Sequence, residues 1–239
     1  MRAIAPSYSS RQKGLSLIGL LIGLLISVLC ILASLTLYKS LIQVATESKL
    51  DSNHDGQLAS AMLMIQLEVQ SAGYGIDGAD VSHIIVHNPT AGERQLLWRF
   101  TTDNSTTFEC RGLYEKGEEE GSFRSLSLIK VDSGCDGTAA LNSFTWETDD
   151  PITVLGRWRV VQDDVEDVGL DDYISDHGAM FKFHLTPEAC NPYGAPGVAA
   201  EQRLLLTVTV PGSAFLQGAD GMTATEYEYC LPNIYTASP

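Results

Sequence analysis

Leu15-Ser16-Leu17-Ile18-Gly19-Leu20-Leu21-Ile22-Gly23-Leu24-Leu25-Ile26-Ser27-Val28-Leu29-Cys30-Ile31-Leu32-Ala33-Ser34-Leu35-Thr36-Leu37-Tyr38 is a run of 24 residues without a charge, bracketed by Lys13 and Lys39. At about 1.5 Å of rise per residue a helix of this length reaches about 36 Å, enough to cross a hydrocarbon core of about 30 Å. A cleaved secretory signal has an apolar core of only about 7–15 residues and a small-residue cleavage site after it. This run is longer and no A-x-A pattern follows, so it reads as a retained membrane helix.

Working outward, residues 1–14 carry Arg2, Arg11 and Lys13 and no acid. The positive-inside rule keeps such an arm in the cytoplasm, so everything after Lys39 is expected on the far side of the membrane. The 239-residue chain has 30 Asp+Glu against 15 Lys+Arg, a net charge of −15. Without the +3 of the arm, the remainder carries −15 − 3 = −18. Phosphate attraction needs clustered Lys and Arg, so nucleic acid is excluded as a partner, and contact with anionic lipid is confined to the helix.

Residues 39–50 continue the helix. Asp51-Ser52-Asn53-His54-Asp55-Gly56 is turn-prone and predicts a kink or short break. Beyond it Leu58, Ala61, Met62, Ile65, Val69 and Ala72 recur at helical steps and form a stripe that should lie on a sheet. From residue 81 the texture becomes β-type: 81–87, 95–101, 123–131, 143–148, 152–161, 180–185 and 203–210 are rich in β-branched and aromatic residues. Between them AGE (91–93), EKGEEEG (115–121), SGCDG (133–137) and NPYGAPG (191–197) suit turns or loops. The expected fold is α+β, a long N-terminal helix whose second half packs on an antiparallel sheet. The organisation is an arm (1–14), a membrane helix (15–38), its amphipathic continuation (39–75) and a β-rich domain (76–239).

Two patches resemble a known family. Lys13-Gly14-Leu15-Ser16-Leu17-Ile18-Gly19-Leu20-Leu21-Ile22 resembles the type IV prepilin signal. Gln57–Gly75, ending Ala72-Gly73-Tyr74-Gly75, looks like the helix and A-G-Y-x-G-type turn of PilW-type minor pilins. The resemblance covers about residues 11–75. It implies cleavage between Gly14 and Leu15 by a prepilin peptidase, N-methylation of Leu15, and use of the apolar helix for assembly. It also implies a pilin-like fold and, as partners, major pilin, other minor pilins and the inner-membrane assembly machinery. The chain would start in the inner membrane with a periplasmic globular domain and end in the pilus at the cell surface. Two residues depart from the pattern. Leu15 stands where Phe is usual, and Gly19 stands at the fifth mature position, where the family has a Glu thought to pair with a neighbour's terminal amine.

Of five cysteines, Cys30 lies in the membrane helix, while Cys110, Cys135, Cys190 and Cys230 lie beyond it. An even count in an oxidising compartment implies two disulfides with three possible pairings, and chain order favours Cys110–Cys135 and Cys190–Cys230. Gly19, Gly23 and Ser27 place small residues on one helix face, suited to close approach of another helix. Asp51-x-Asn53-x-Asp55-Gly56 matches the opening of a calcium loop, but Met62 stands where a bidentate Glu is needed, so the stretch reads as a capped helix break. The acidic segment 163–172 reads as an exposed loop, with calcium a lesser reading. His54, His83, His87, His177 and His184 read as surface or core residues; His83 and His87 on one strand would sit about 13 Å apart, too far to share a metal. No cofactor is expected. G-x-S-x-G, H-E-x-x-H, the Walker loop and G-x-G-x-x-G are not read in the chain, and no catalytic residue is assigned. The reading is a minor pilin that primes assembly or sits in a tip complex. Its alternatives are a minor pseudopilin of a type II secretion system and an inner-membrane-anchored periplasmic binding or adhesion domain.

Overall fold

The computed structural model describes residues 17–90, 92–102, 107–118, 123–159, 178–192, 201–212 and 224–236. Its first element is helix α1, Leu17–Val69. The strands follow: β1 Ile84–His87, β2 Arg94–Phe100, β3 Glu109–Gly117, β4 Phe123–Lys130, β5 Thr153–Arg159, β6 Lys182–Cys190, β7 Glu201–Pro211 and β8 Ala224–Tyr235. They form two antiparallel sheets, β1-β2-β3-β4-β5 and β6-β7-β8, each a meander in chain order. The layout is α+β, as the sequence predicts, with two sheets in place of one. The chain divides into two compact units, Met1–Ser48 and Lys49–Pro239.

In the larger unit the expected stripe is the seed of the core. Leu58, Ala61, Met62, Ile65, Val69 and Ala72 are all buried. They share one apolar cluster with Leu96, Trp98, Leu113 and Leu126 of the first sheet and Phe183, Leu206, Val208 and Leu231 of the second. One helix face therefore closes both sheets, and that burial, not helix propensity, fixes where α1 sits.

The break expected at 51–56 does not form, and α1 runs through it. His54 is buried and its Nε2 lies 3.2 Å from the Pro211 carbonyl oxygen at the end of β7. Leu50, His54 and Leu58 recur at four-residue steps and carry the buried stripe back through the turn-prone residues. The tertiary contact outweighs a propensity deficit of a few tenths of a kcal/mol per residue and about 1 kcal/mol at Gly56. A helical 51–56 also removes the calcium-loop reading, since its oxygens cannot wrap an ion.

Three more expectations need correction, and β8 lies outside the segments read as β-type. Val81–His83 is a 3-10 turn capped by Asp80, whose Oδ1 accepts from Ser82 N at 2.9 Å, so β1 starts only at Ile84. Residues 143–148 are not a strand. Trp146 makes a single bridge to Val131, and Phe144 and Trp146 pack with Leu97, Cys110, Tyr114, Ile129 and Leu141 on the other face of the first sheet. That cover explains why β2 is buried on both faces. Glu115–Gly117, expected in a turn, is the end of β3. β8 is a strand despite Pro232, with the ladder shifting register between Arg203 and Leu204 of its partner β7.

Candidate functional site

Three features of the chain have functional chemistry: the apolar helix, the cross-linked and ion-paired interior, and the glycine turn after α1. Within α1 the N-terminal stretch is long and apolar enough to cross a membrane, and none of that stretch is buried by other parts of the chain. Two of its hydroxyls are satisfied internally, Ser34 Oγ donating to Cys30 O at 2.8 Å and Thr36 Oγ1 to Ala33 O at 2.9 Å, as hydrocarbon favours. Gly19, Gly23 and Ser27 are exposed, and a Cβ at either glycine would meet nothing within 4 Å. Gly14 and Leu15 lie outside the described residues, as do His177 and the acidic segment 163–172.

Cys110 pairs with Cys135 and Cys190 with Cys230, while Cys30 is free and exposed. Closing loops of 25 and 40 residues contributes about 3–4 kcal/mol each on the chain-entropy account.

An ion pair that sequence reading does not pick out lies in the same interior. Glu115 is fully buried; its Oε1 accepts from Arg124 Nε at 2.6 Å and Met180 N at 2.7 Å, and its Oε2 from Phe181 N at 2.8 Å. Arg124 also donates to the Gly92 carbonyl. One carboxylate on β3 thus ties the first sheet to the chain entering β6. Burial pushes this carboxyl above the ordinary range, against the pull of Arg124 and the two amides. The only sequence signal is a Glu inside a run that alternates like a strand once its charges are set aside.

The turn after α1 is a junction. Gly73 N donates to Arg99 O at 2.9 Å and Thr101 N to Tyr74 O at 2.8 Å, which binds the turn to the end of β2. Tyr235 N donates to Ala79 O at 3.0 Å and Asn233 Nδ2 to Gln70 O at 2.9 Å, which binds it to β8. Gly73 has φ +74°, and a Cβ there would meet Ile234 Cδ1 at 2.6 Å and Asn233 O at 3.0 Å. Gly75 has φ +70° and a Cβ would strike Thr101. Both positions demand glycine. Gly73, Gly75 and Gly78 have G-x-G-x-x-G spacing, which corrects the expectation that this motif is missing. It follows a helix and leads into a 3-10 turn, not strand to helix, so it is no dinucleotide fingerprint. Beside it opens a cavity of about 600 Å³ lined by Gly73, Gly75, Ile76, Asp77, Gly78, Asn233 and Tyr235.

The histidines are dispersed. His83 Nδ1 lies 3.1 Å from Asp80 Oδ1, His54 is buried against β7, His87 is half-buried and His184 is exposed. Among the described residues no three of His, Cys, Asp and Glu group to hold a metal. No family model matches the chain, and neither a curated protein nor a solved structure is similar to it at a significant level.

Proposed function

We propose that this chain is a minor pilin of the PilW type, a structural subunit with no catalytic role. It is inserted in the inner membrane with its basic arm in the cytoplasm, cut between Gly14 and Leu15, methylated on Leu15, and drawn into a type IV pilus. The observation that carries this reading is the junction Lys13-Gly14-Leu15-Ser16 at the head of 24 charge-free residues. A basic arm, a small residue and an uninterrupted apolar helix are what a peptidase working at the cytoplasmic face needs, because the cut leaves the whole helix in the product. Two disulfides support export of the larger unit to an oxidising compartment. The absence of charge on the helix supports assembly by packing between helices, where apolar burial gives no drive and close approach at Gly19, Gly23 and Ser27 does.

Mass spectrometry of the membrane fraction tests it. A methylated N-terminus at Leu15 is expected, and Gly14→Leu should leave the full-length chain in the membrane. An intact Met1 in the wild type would mean a simple anchored periplasmic domain instead. Loss of the pilus in a deletion strain with secretion intact is the expected phenotype, and the reverse would identify a pseudopilin of a type II secretion system.

A further inference from the structure

We propose that the cavity beside the 73–78 turn is a binding site for a neutral saccharide. Its volume, about 600 Å³, lies within the range of small-molecule sites, about 300–1,000 Å³. Its lining supplies the three groups that read a sugar: an aromatic face, a carboxylate and a carboxamide, on Tyr235, Asp77 and Asn233. A pyranose presents a C–H face that stacks on an aromatic ring and a rim of hydroxyls that both donate and accept hydrogen bonds.

Two of the three groups are already set in place. The Arg203 guanidinium lies 4.0 Å from the Tyr235 ring centroid and backs one face of the ring, yet Tyr235 remains 47% exposed. Arg203 is itself held by the Pro232 carbonyl at 2.5 Å and by Glu201. The ring is thus held by Arg203 while nearly half of the residue stays exposed. The Asn233 amide nitrogen is anchored on Gln70 O, which turns its Oδ1 into a free acceptor of known orientation. Asp77 is exposed and, among the described residues, its carboxylate has no partner. The walls cannot shift cheaply, because Gly73 is packed against Asn233 and Ile234 without room for a Cβ. A site with two of its three groups ordered in advance loses less entropy on binding than one with none.

Charge selects among ligands. A chain of net charge −15 with a carboxylate in the cavity repels anionic sugars and phosphates. One carboxylate is too few for calcium, which takes 6–8 oxygen ligands. A neutral polyhydroxylated ring satisfies both limits. This inference does not depend on pilus assembly, since the cavity belongs to the larger unit whatever the fate of the N-terminus.

The test uses the full chain in phosphocholine micelles, because sugar-headed detergents would compete. Saturation-transfer NMR with methyl glucoside, methyl galactoside and methyl N-acetylglucosaminide should show transfer to the ring protons of at least one of them, with millimolar affinity. Tyr235→Leu and Asp77→Asn should each weaken it about tenfold, while Tyr235→Phe retains it. Asp77→Asn alters an exposed side chain, so its melting curve should match the wild type even if Tyr235→Leu perturbs the Arg203 stack. No transfer from any probe would overturn the proposal, as would transfer unchanged in Asp77→Asn and Tyr235→Leu, or binding confined to sialic acid or to calcium.

Discussion

At the scale of single residues, the larger unit is held by a few polar groups placed where water cannot rescue them. Glu115 serves three donors at once, Arg124 Nε and the amides of Met180 and Phe181. Glu115→Ala would leave all three without an acceptor and the guanidinium without a counter-charge. Breaking a buried pair by removing one partner costs about 3–5 kcal/mol, so urea unfolding of the variant should show a loss of that size. A loss under about 1 kcal/mol, the size expected of an exposed pair, would mean that water reaches the site. Tyr229 makes a second case. Its hydroxyl donates to the Met62 carbonyl of α1 at 3.1 Å, and burial, followed by the neighbouring Tyr227, pushes its pKa up to about 12. The folded chain therefore holds this proton more tightly than the unfolded one. The resulting stability is fully present below the ordinary phenol value of about 10 and is lost as pH rises through about 12. In an alkaline absorbance titration, wild type minus Tyr229→Phe should show one phenol ionising near the upper value.

At the scale of elements, α1 shows what could be read in advance. The steps from Leu58 to Ala72 mark a face, and the structure buries that face on both sheets. Ile65→Ala is expected to cost about 2–5 kcal/mol, while Leu63→Ala, two positions away on the exposed side, should stay within about 0.5 kcal/mol. Equal losses at the two sites would mean that Leu63 is covered in solution. The helix was legible because an apolar period depends on neighbours three and four residues away. The continuity through Asp51–Gly56 was not, because it depends on His54 meeting Pro211, 157 residues distant. The same limit hides β3: Glu115 and Lys116 read as loop and Glu109 and Arg111 carry no β-type signal until Arg111 is found on Glu68 at 2.8 Å and Glu115 on Arg124. Trp146 misleads in the opposite direction, since its aromatic alternation serves a cover over the sheet and not a ladder. For the candidate cavity, sequence shows only the glycines; Tyr235 and Arg203 come together through the β7–β8 pairing, with Arg203 opposite Tyr235.

At the scale of the whole molecule, the proposed role as a minor pilin raises the question of where in a filament the chain would sit, and Gly19 bears on it. In the family the usual Glu at this position is thought to pair with the terminal amine of the subunit ahead, inside the apolar filament core. A subunit at the tip has nothing ahead of it, and a carboxylate there would be left without a partner in hydrocarbon, at a cost of several kcal/mol. Gly19 avoids that cost, and an exposed glycine with open space where its Cβ would be lets a neighbouring helix come close instead. On the proposed role, the position that suits this chain is at or next to the tip, with the register of its helix set by packing and not by charge. Net charge points the same way: stacking many copies of a chain whose side chains sum to −15 − 3 = −18 without the arm in one shaft would set like charges against each other along its length, whereas a single copy at the end meets this only once. Crosslinking from Ala45→Cys in assembled pili is the measurement. Adducts confined to other minor pilins are expected, and abundant adducts with major pilin from both directions along the shaft would defeat the assignment.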